Sequence, residues 1–175
     1  MSNRKRMHEE FLQAYDTHAD ALFRFVSLRT RDRENAVDIV QETYVRTWQY
    51  LTEGNTIDQL RAFLFKTAKN MLIDKTTQAK RRNTGSLDLY MEEGGDIPDD
   101  TGGREYDPMD GERILSLLAT LEPVEYREII YLRFMEELGL SEIAEILGVS
   151  ENVVSVRINR AIAKLRKIFP YEPNQ

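Results

Sequence analysis

Apolar residues recur at spacings of three and four along both ends of the chain, and the rhythm fails in the middle. Near the N-terminus Phe11, Tyr15, His18, Leu22, Val26 and Arg29 follow this period, which predicts an amphipathic helix. Arg31 and Asp32 form a short polar break. Val37, Val40, Tyr44, Thr47, Trp48 and Leu51 then line one face of a second helix, expected from about Glu34 to Leu51. Gly54 and Asn55 punctuate the chain. Leu60, Phe63, Leu64, Thr67, Met71 and Leu72 mark the inward face of a third helix, expected from about Asp58 to Lys80 and ending in the basic cluster Lys80-Arg81-Arg82.

Residues 83–112 break the pattern with Gly85, Gly94, Gly95, Pro98, Gly102, Gly103, Pro108 and Gly111. A packed domain rarely holds so long a structureless stretch, so this segment reads as a flexible linker between two domains. Helical spacing returns over 113–169. Ile114, Leu117, Leu118 and Leu121 predict a short amphipathic helix. Pro123 suits the first turn of the next, which carries Tyr126, Ile129, Ile130 and Phe134. No strand alternation and no internal repeat is evident. The expected class is therefore all-α: helical domains over 7–82 and 113–169, joined by 83–112.

Composition narrows the function. Charged residues make up 31% of the 175 and hydrophobic ones 41%, as in a globular protein. There is no apolar run long enough for a transmembrane helix, and no apolar core follows the basic Met1–Arg6, so a cytoplasmic protein without membrane insertion is expected. With no cysteine, Cys-based zinc sites, disulfides and Cys nucleophiles are excluded. His8 and His18 read as ordinary helix residues. No phosphate-binding glycine loop, metal cluster or nucleophile–base pairing appears, so neither an enzyme nor a bound cofactor is expected. The net charge of −6 argues at first against nucleic acid. Its distribution weakens that objection: residues 91–112 hold 9 Asp/Glu and 1 Lys/Arg, whereas residues 1–90 hold 15 Lys/Arg against 12 Asp/Glu.

The sharpest motif is Leu140-Ser141-Glu142-Ile143-Ala144-Glu145-Ile146-Leu147-Gly148-Val149-Ser150. Ser141 suits an N-cap, Gly148 a C-terminal stop, and Ser150 the cap of a second, longer helix. This is helix-turn-helix spacing, in which the second helix enters the major groove. Val154, Ile158, Ala161 and Leu165 form its buried stripe. Asn152, Val156, Asn159, Arg160 and Lys167 lie opposite, with Ser155 and Arg157 on the flanks. Asn and Arg read base edges by paired hydrogen bonds, and Arg and Lys neutralise phosphates.

The stretch LEPVEYREIIYLRFMEELGLSEIAEILGVSENVVSVRINRAIAKLRK resembles domain four of the extracytoplasmic-function (ECF) sigma factors of bacterial RNA polymerase. DIVQETYVRTWQYL followed by LRAFLFKTAKNMLIDK resembles their domain two in order and spacing. The resemblance implies a factor that binds core RNA polymerase and directs initiation at a specialised set of promoters. Asp38, Gln41 and Glu42 would dock polymerase. Asp38 and Glu42 indeed point away from the predicted stripe, beside Val45 and Gln49, and an acidic face suits a basic partner. Arg61, Lys66, Lys69 and Asn70 would read the minus-ten element as a single strand, and the loop from Thr52 to Gln59 would take a base turned out of the stack. Asn152, Ser155, Val156, Arg157, Asn159 and Arg160 would read the minus-thirty-five duplex. Phe63 stands where the family usually has Trp; it fills the same space without the indole donor. Ser155 and Val156 stand where the family often has a basic and a small polar residue, and Val156 suits a thymine methyl. An anti-sigma protein is an expected partner.

Two other classes fit part of the pattern. A dimeric helix-turn-helix regulator acting without polymerase would share the C-terminal motif, but would need residues 7–82 as its dimerisation or effector domain, for which a basic third helix is ill suited. A purely structural helical adaptor leaves the helix-turn-helix unexplained.

Overall fold

The computed structural model describes residues 3–30, 32–83 and 111–169, and among these every regular element is helical. The linker expected over 83–112 lies, from 84 to 110, outside the described residues, as does Arg31.

The N-terminal domain is built from α1 (Asn3–Ser27), α2 (Arg33–Thr52) and α3 (Leu60–Asn83). The α1–α2 turn is set by Asp32, whose carboxylate accepts from the backbone N–H of Glu34 (2.9 Å) and Asn35 (3.3 Å), satisfying two donors that a helix start leaves open. Leu22, Phe25 and Val26 of α1 pack on Ala36, Ile39, Val40 and Tyr44 of α2. Thr43 and Thr47 are fully buried at no unpaired-hydroxyl cost, because they donate to the carbonyls of Ile39 (2.7 Å) and Thr43 (2.8 Å). Aromatic edges close the outer end: Phe11 meets Tyr44 and Trp48, and His8 meets Trp48 at 5.4 Å.

The C-terminal domain comprises α4 (Gly111–Ala119), α5 (Val124–Ile130), α6 (Leu140–Leu147) and α7 (Glu151–Ile168). The chain leaves α5 through one π-helical turn, Tyr131–Met135, and folds back so that Leu138 N–H donates to the Leu132 carbonyl at 3.0 Å. Leu121, Ile129, Leu132, Leu138, Ile143, Ile146 and Val154 form its centre.

Three expectations need correction. Gly139, not Ser141, caps α6: the Glu142 carboxylate reaches back to the Gly139 N–H at 2.9 Å, and Ser141 lies exposed in the first turn. Tyr15, Leu117 and Phe134 are exposed rather than inward. The third helix does not bury a single stripe. Ala62, Leu64, Phe65, Ala68, Met71 and Leu72 surround most of α3, because it packs on α1 and α2 on one side and on α6 on the other. The buried residues of the two domains consequently form one continuous cluster, joined where Phe25 touches Phe65 (5.2 Å) and Tyr131 (6.4 Å).

Candidate nucleic-acid interface

In the C-terminal motif, α6 ends at Gly148, whose φ of +65° is the left-handed region that a side chain disfavours. The N–H groups of Gly148 and Val149 both donate to the Ala144 carbonyl, and two residues later Ser150 caps α7 by accepting from Val153 N–H at 3.4 Å. This tight turn aims α7 across α6. Val154, Ile158 and Ala161 are buried beneath it. Asn152, Val156, Asn159 and Arg160 are exposed on the outer face, and Ser155 and Arg157 are half-buried at its edges. Amide, methyl and guanidinium groups thus share one convex surface of the width a major groove admits. Lys164 is not on that surface's free flank; its ammonium donates to the Glu122 carbonyl at 2.6 Å.

Three of the four candidate residues of α3 are turned to the C-terminal domain. Arg61 donates to the carboxylate of Glu136 at 2.7 Å and to that residue's carbonyl oxygen. Lys66 stands 3.5 Å from the Glu145 carboxylate. Lys69, expected outside the buried stripe, is only 9% exposed and donates to the Leu147 carbonyl at the end of α6 (3.1 Å). Burial holds its ammonium below the ordinary lysine pKa, Arg29 and Arg157 adding repulsion and Glu128 opposing it. Asn70 is exposed.

The acidic face of α2 is free of the C-terminal domain. Asp38, Gln41 and Glu42 are exposed, Glu42 pairing only with Arg46 one turn on (2.8 Å), and Val45 lies among them 49% exposed. Beyond α2, Gly54 takes φ +92° and Asn55 ties back to the Tyr50 carbonyl at 3.0 Å. Tyr50 and Phe63 stand with ring centroids 5.2 Å apart at the mouth of this loop, Tyr50 39% exposed.

Sequence reasoning missed the groups that join the domains. Arg29 grips the fully buried Glu128 with two hydrogen bonds, one of 3.0 Å, and lies 3.8 Å from Glu125. Burial alone would lower the Arg29 pKa, but the hydrogen bond and charge of Glu128, helped by Glu125, leave it raised. Tyr131 donates to the Ala21 carbonyl at 3.0 Å, and Arg127 to that of Leu28 at 3.3 Å. His18 lies beside Arg61 and Glu136; burial, then the Arg61 charge, holds its pKa below the usual imidazole value against the pull of Glu136. The one hint in the sequence was Glu128, a carboxylate set among the apolar residues of α5.

Among the described residues no three His, Cys, Asp or Glu side chains gather as metal ligands, and no helix is long and apolar enough to cross a membrane. A three-helix domain with a basic helix is followed by a helix-turn-helix domain, the form of a two-domain DNA-binding protein. Residues 14–82 match Sigma-70 region 2 and residues 117–167 match Sigma-70, region 4. The chain is 35% identical over 154 residues to the ECF RNA polymerase sigma factor SigL of Mycobacterium tuberculosis, covering 87% of this chain and 84% of that relative. It is 26% identical over 171 residues to the ECF RNA polymerase sigma factor SigX of Bacillus subtilis, covering 92% and 84%. Among solved structures, the sigma factor RpoE in complex with the anti-sigma factor NepR from Bartonella quintana superimposes with a TM-score of 0.70 at 22% identity, over 94% of this chain and 99% of that one. CnrH in complex with the cytosolic domain of CnrY gives 0.62 at 25% identity, over 92% and 88%. The chain belongs to the ECF family of RNA polymerase sigma factors.

Proposed function

We propose that this sigma factor docks core polymerase through Asp38, Gln41 and Glu42, reads the minus-ten strand with Arg61, Lys66, Lys69 and Asn70, and reads the minus-thirty-five duplex with Asn152, Ser155, Val156, Arg157, Asn159 and Arg160. Domain two spans 7–82 and domain four 113–169, with 83–112 between them. The observation that carries the reading is the exposed convex face of α7, where base-reading and phosphate-neutralising groups stand together above a buried Val154–Ile158–Ala161 stripe. The uncovered acidic face of α2 around Val45 supports polymerase docking. Tyr50 and Phe63 offer an aromatic wall on which an unstacked base can lie. The factor supplies recognition, polymerase supplies the chemistry, and the site of action is the cytoplasm. Two of the matched relatives were solved with anti-sigma or partner cytosolic chains, which supports an anti-sigma protein as the regulatory partner here.

The test is run-off transcription with core polymerase from the source organism on a promoter library. Promoter-specific transcripts that require the factor, and that vanish on Asn159→Ala/Arg160→Ala, are expected. Tight binding of the isolated chain to promoter duplex as a dimer, with no effect on polymerase, would instead establish the dimeric regulator.

A further inference from the structure

We infer that the cleft between the α1–α2 turn and α4 is a binding site for a small aromatic anion, so that the sigma factor carries a ligand site of its own. The inference does not depend on which residues read DNA. The cleft encloses about 460 Å³, a volume suited to a small molecule. The N-terminal domain supplies the end of α1, the turn after it and the start of α2; the C-terminal domain supplies α4 and Arg127 of α5. Phe23, Leu28, Leu115 and Ala119 give it apolar walls. Arg29, Arg33 and Arg127 line it as well, and among the described residues no carboxylate does. The three cations are not equivalent. Arg127 donates to the carbonyls of Leu121 and Leu28 and to the Glu122 carboxylate. Arg29 holds Glu128 through Nε and Nη2. Both are neutralised from behind and serve as fixed wall. Arg33 is exposed. Its guanidinium lies over the Phe23 ring, 5.3 Å from the centroid, and pairs with no carboxylate among the described residues. An uncommitted cation beside an aromatic and aliphatic wall matches an anion built on a flat ring. The ring takes the apolar walls and the face of Phe23, and the anionic group takes Arg33 through paired, charge-assisted hydrogen bonds. A neutral apolar ligand would leave that guanidinium desolvated and unpaired, and a bare anion would leave the apolar walls unfilled. Both domains line the cleft, so an occupant touches both and favours their contact by mass action.

The test uses the full chain and the fluorescent probe anilinonaphthalene sulfonate, an aromatic anion. A single probe should bind per chain. Arg33→Ala should weaken its binding roughly tenfold, the worth of one charge-assisted hydrogen bond. Ala119→Trp, which fills the cleft from α4, should abolish binding with helicity unchanged by circular dichroism. If that variant loses helicity, Arg33→Ala decides alone. Leu117→Ala removes an exposed apolar residue of α4 that does not line the cleft, and should leave binding as it was. Equal affinity in the native chain and in Arg33→Ala overturns the inference, because the probe then sits elsewhere. Competition distinguishes the sources of such an anion. Displacement of the probe by AMP and not by naphthoate marks a nucleotide; the reverse marks an aromatic carboxylate. Displacement by inorganic phosphate at the same concentration would show that the ring contributes nothing, and overturns the inference. So does failure of both AMP and naphthoate to displace the probe.

Discussion

Arg29→Leu should unlock the domains without unfolding either. The Glu128 side chain is 1% exposed and its main partner is the Arg29 guanidinium. Removing one member of a buried pair strands a charge at a cost of about 3–5 kcal/mol. Arg29 keeps 20% of its surface, and the Lys69 charge lies close enough to Glu128 to be felt, so the lower end of that range applies. Roughly 3 kcal/mol is more than a hundredfold in an equilibrium constant. Arg29 follows the end of α1 and Glu128 sits on α5, so the stranded carboxylate escapes its cost simply by separating the domains into water. With no native cysteine in the chain, a donor and an acceptor dye on Gln13→Cys and Ala163→Cys, exposed positions on the two domains, should then report an open chain with unchanged helicity. Arg29→Leu/Glu128→Leu replaces the pair by apolar groups and should close the chain again, since an apolar pair in such a site is about neutral. The double-mutant cycle should give a coupling near 3 kcal/mol. A single variant that keeps the closed distance and the same urea midpoint, or a coupling below about 1 kcal/mol, refutes the reasoning.

Asp38→Lys/Glu42→Lys should weaken core-polymerase binding by about tenfold, each exposed pair contributing up to about 1 kcal/mol; unchanged affinity in a titration with labelled core removes that docking face. Arg160→Ala should cost about 1–3 kcal/mol on the preferred minus-thirty-five sequence and flatten preference at one position if it reads a base, as binding-site selection with the holoenzyme would show; a uniform loss with a lower salt slope marks a phosphate contact instead. Closure should weaken on acidification: His18 faces Arg61 from α3 and Glu136 from the segment after α5, and its pKa is held below 6.5 in the closed form. Its contribution is thus complete above pH 6.5 and is lost as pH falls through the depressed value; the dye separation should lengthen as pH falls below 6.5, and His18→Gln should remove that part of the response. Gly148→Ala should cost about 1 kcal/mol in thermal stability purely through its left-handed backbone, because a Cβ there meets nothing within 4 Å; a loss of several kcal/mol would mean the turn tolerates no relaxation.

The helix-turn-helix was legible because its signals are local. Gly148 stops α6 and Ser150 caps α7 within three residues of each other, and α7 exposes one face and buries the other in a plain period. The α6 cap was missed because Glu142, reaching back to Gly139, does what a Ser141 hydroxyl was expected to do. Helix α3 was misjudged for a different reason. The stripe reading counted Phe63 and Thr67 inward and passed over Phe65 and Ala68, which are fully buried. A helix wedged between two layers has no single apolar face, so periodicity carries little information about it. The cations on it were expected to face a strand, but the groups they meet in the structure lie 75 to 79 residues further along the chain, beyond anything a local pattern encodes.

Two kinds of ion pair in the same interface have different consequences. Lys66–Glu145 is about half exposed on both sides; such a pair contributes at most about 1 kcal/mol and is screened by salt. Arg61–Glu136 is intermediate, and Arg29–Glu128 is sealed off. A buried pair adds little net stability over an apolar one, yet it punishes misregistration severely. Arg29 and Glu128 therefore fix where domain four lands on domain two, while the outer pairs set how readily it leaves. An apolar seal over α3 would hold more firmly but would leave apolar surface exposed when the domains part. Carboxylates leave behind free cations, the groups that the proposed strand reading needs. Raised salt should accordingly loosen the outer edge of the closure first and leave the Arg29–Glu128 anchor for last.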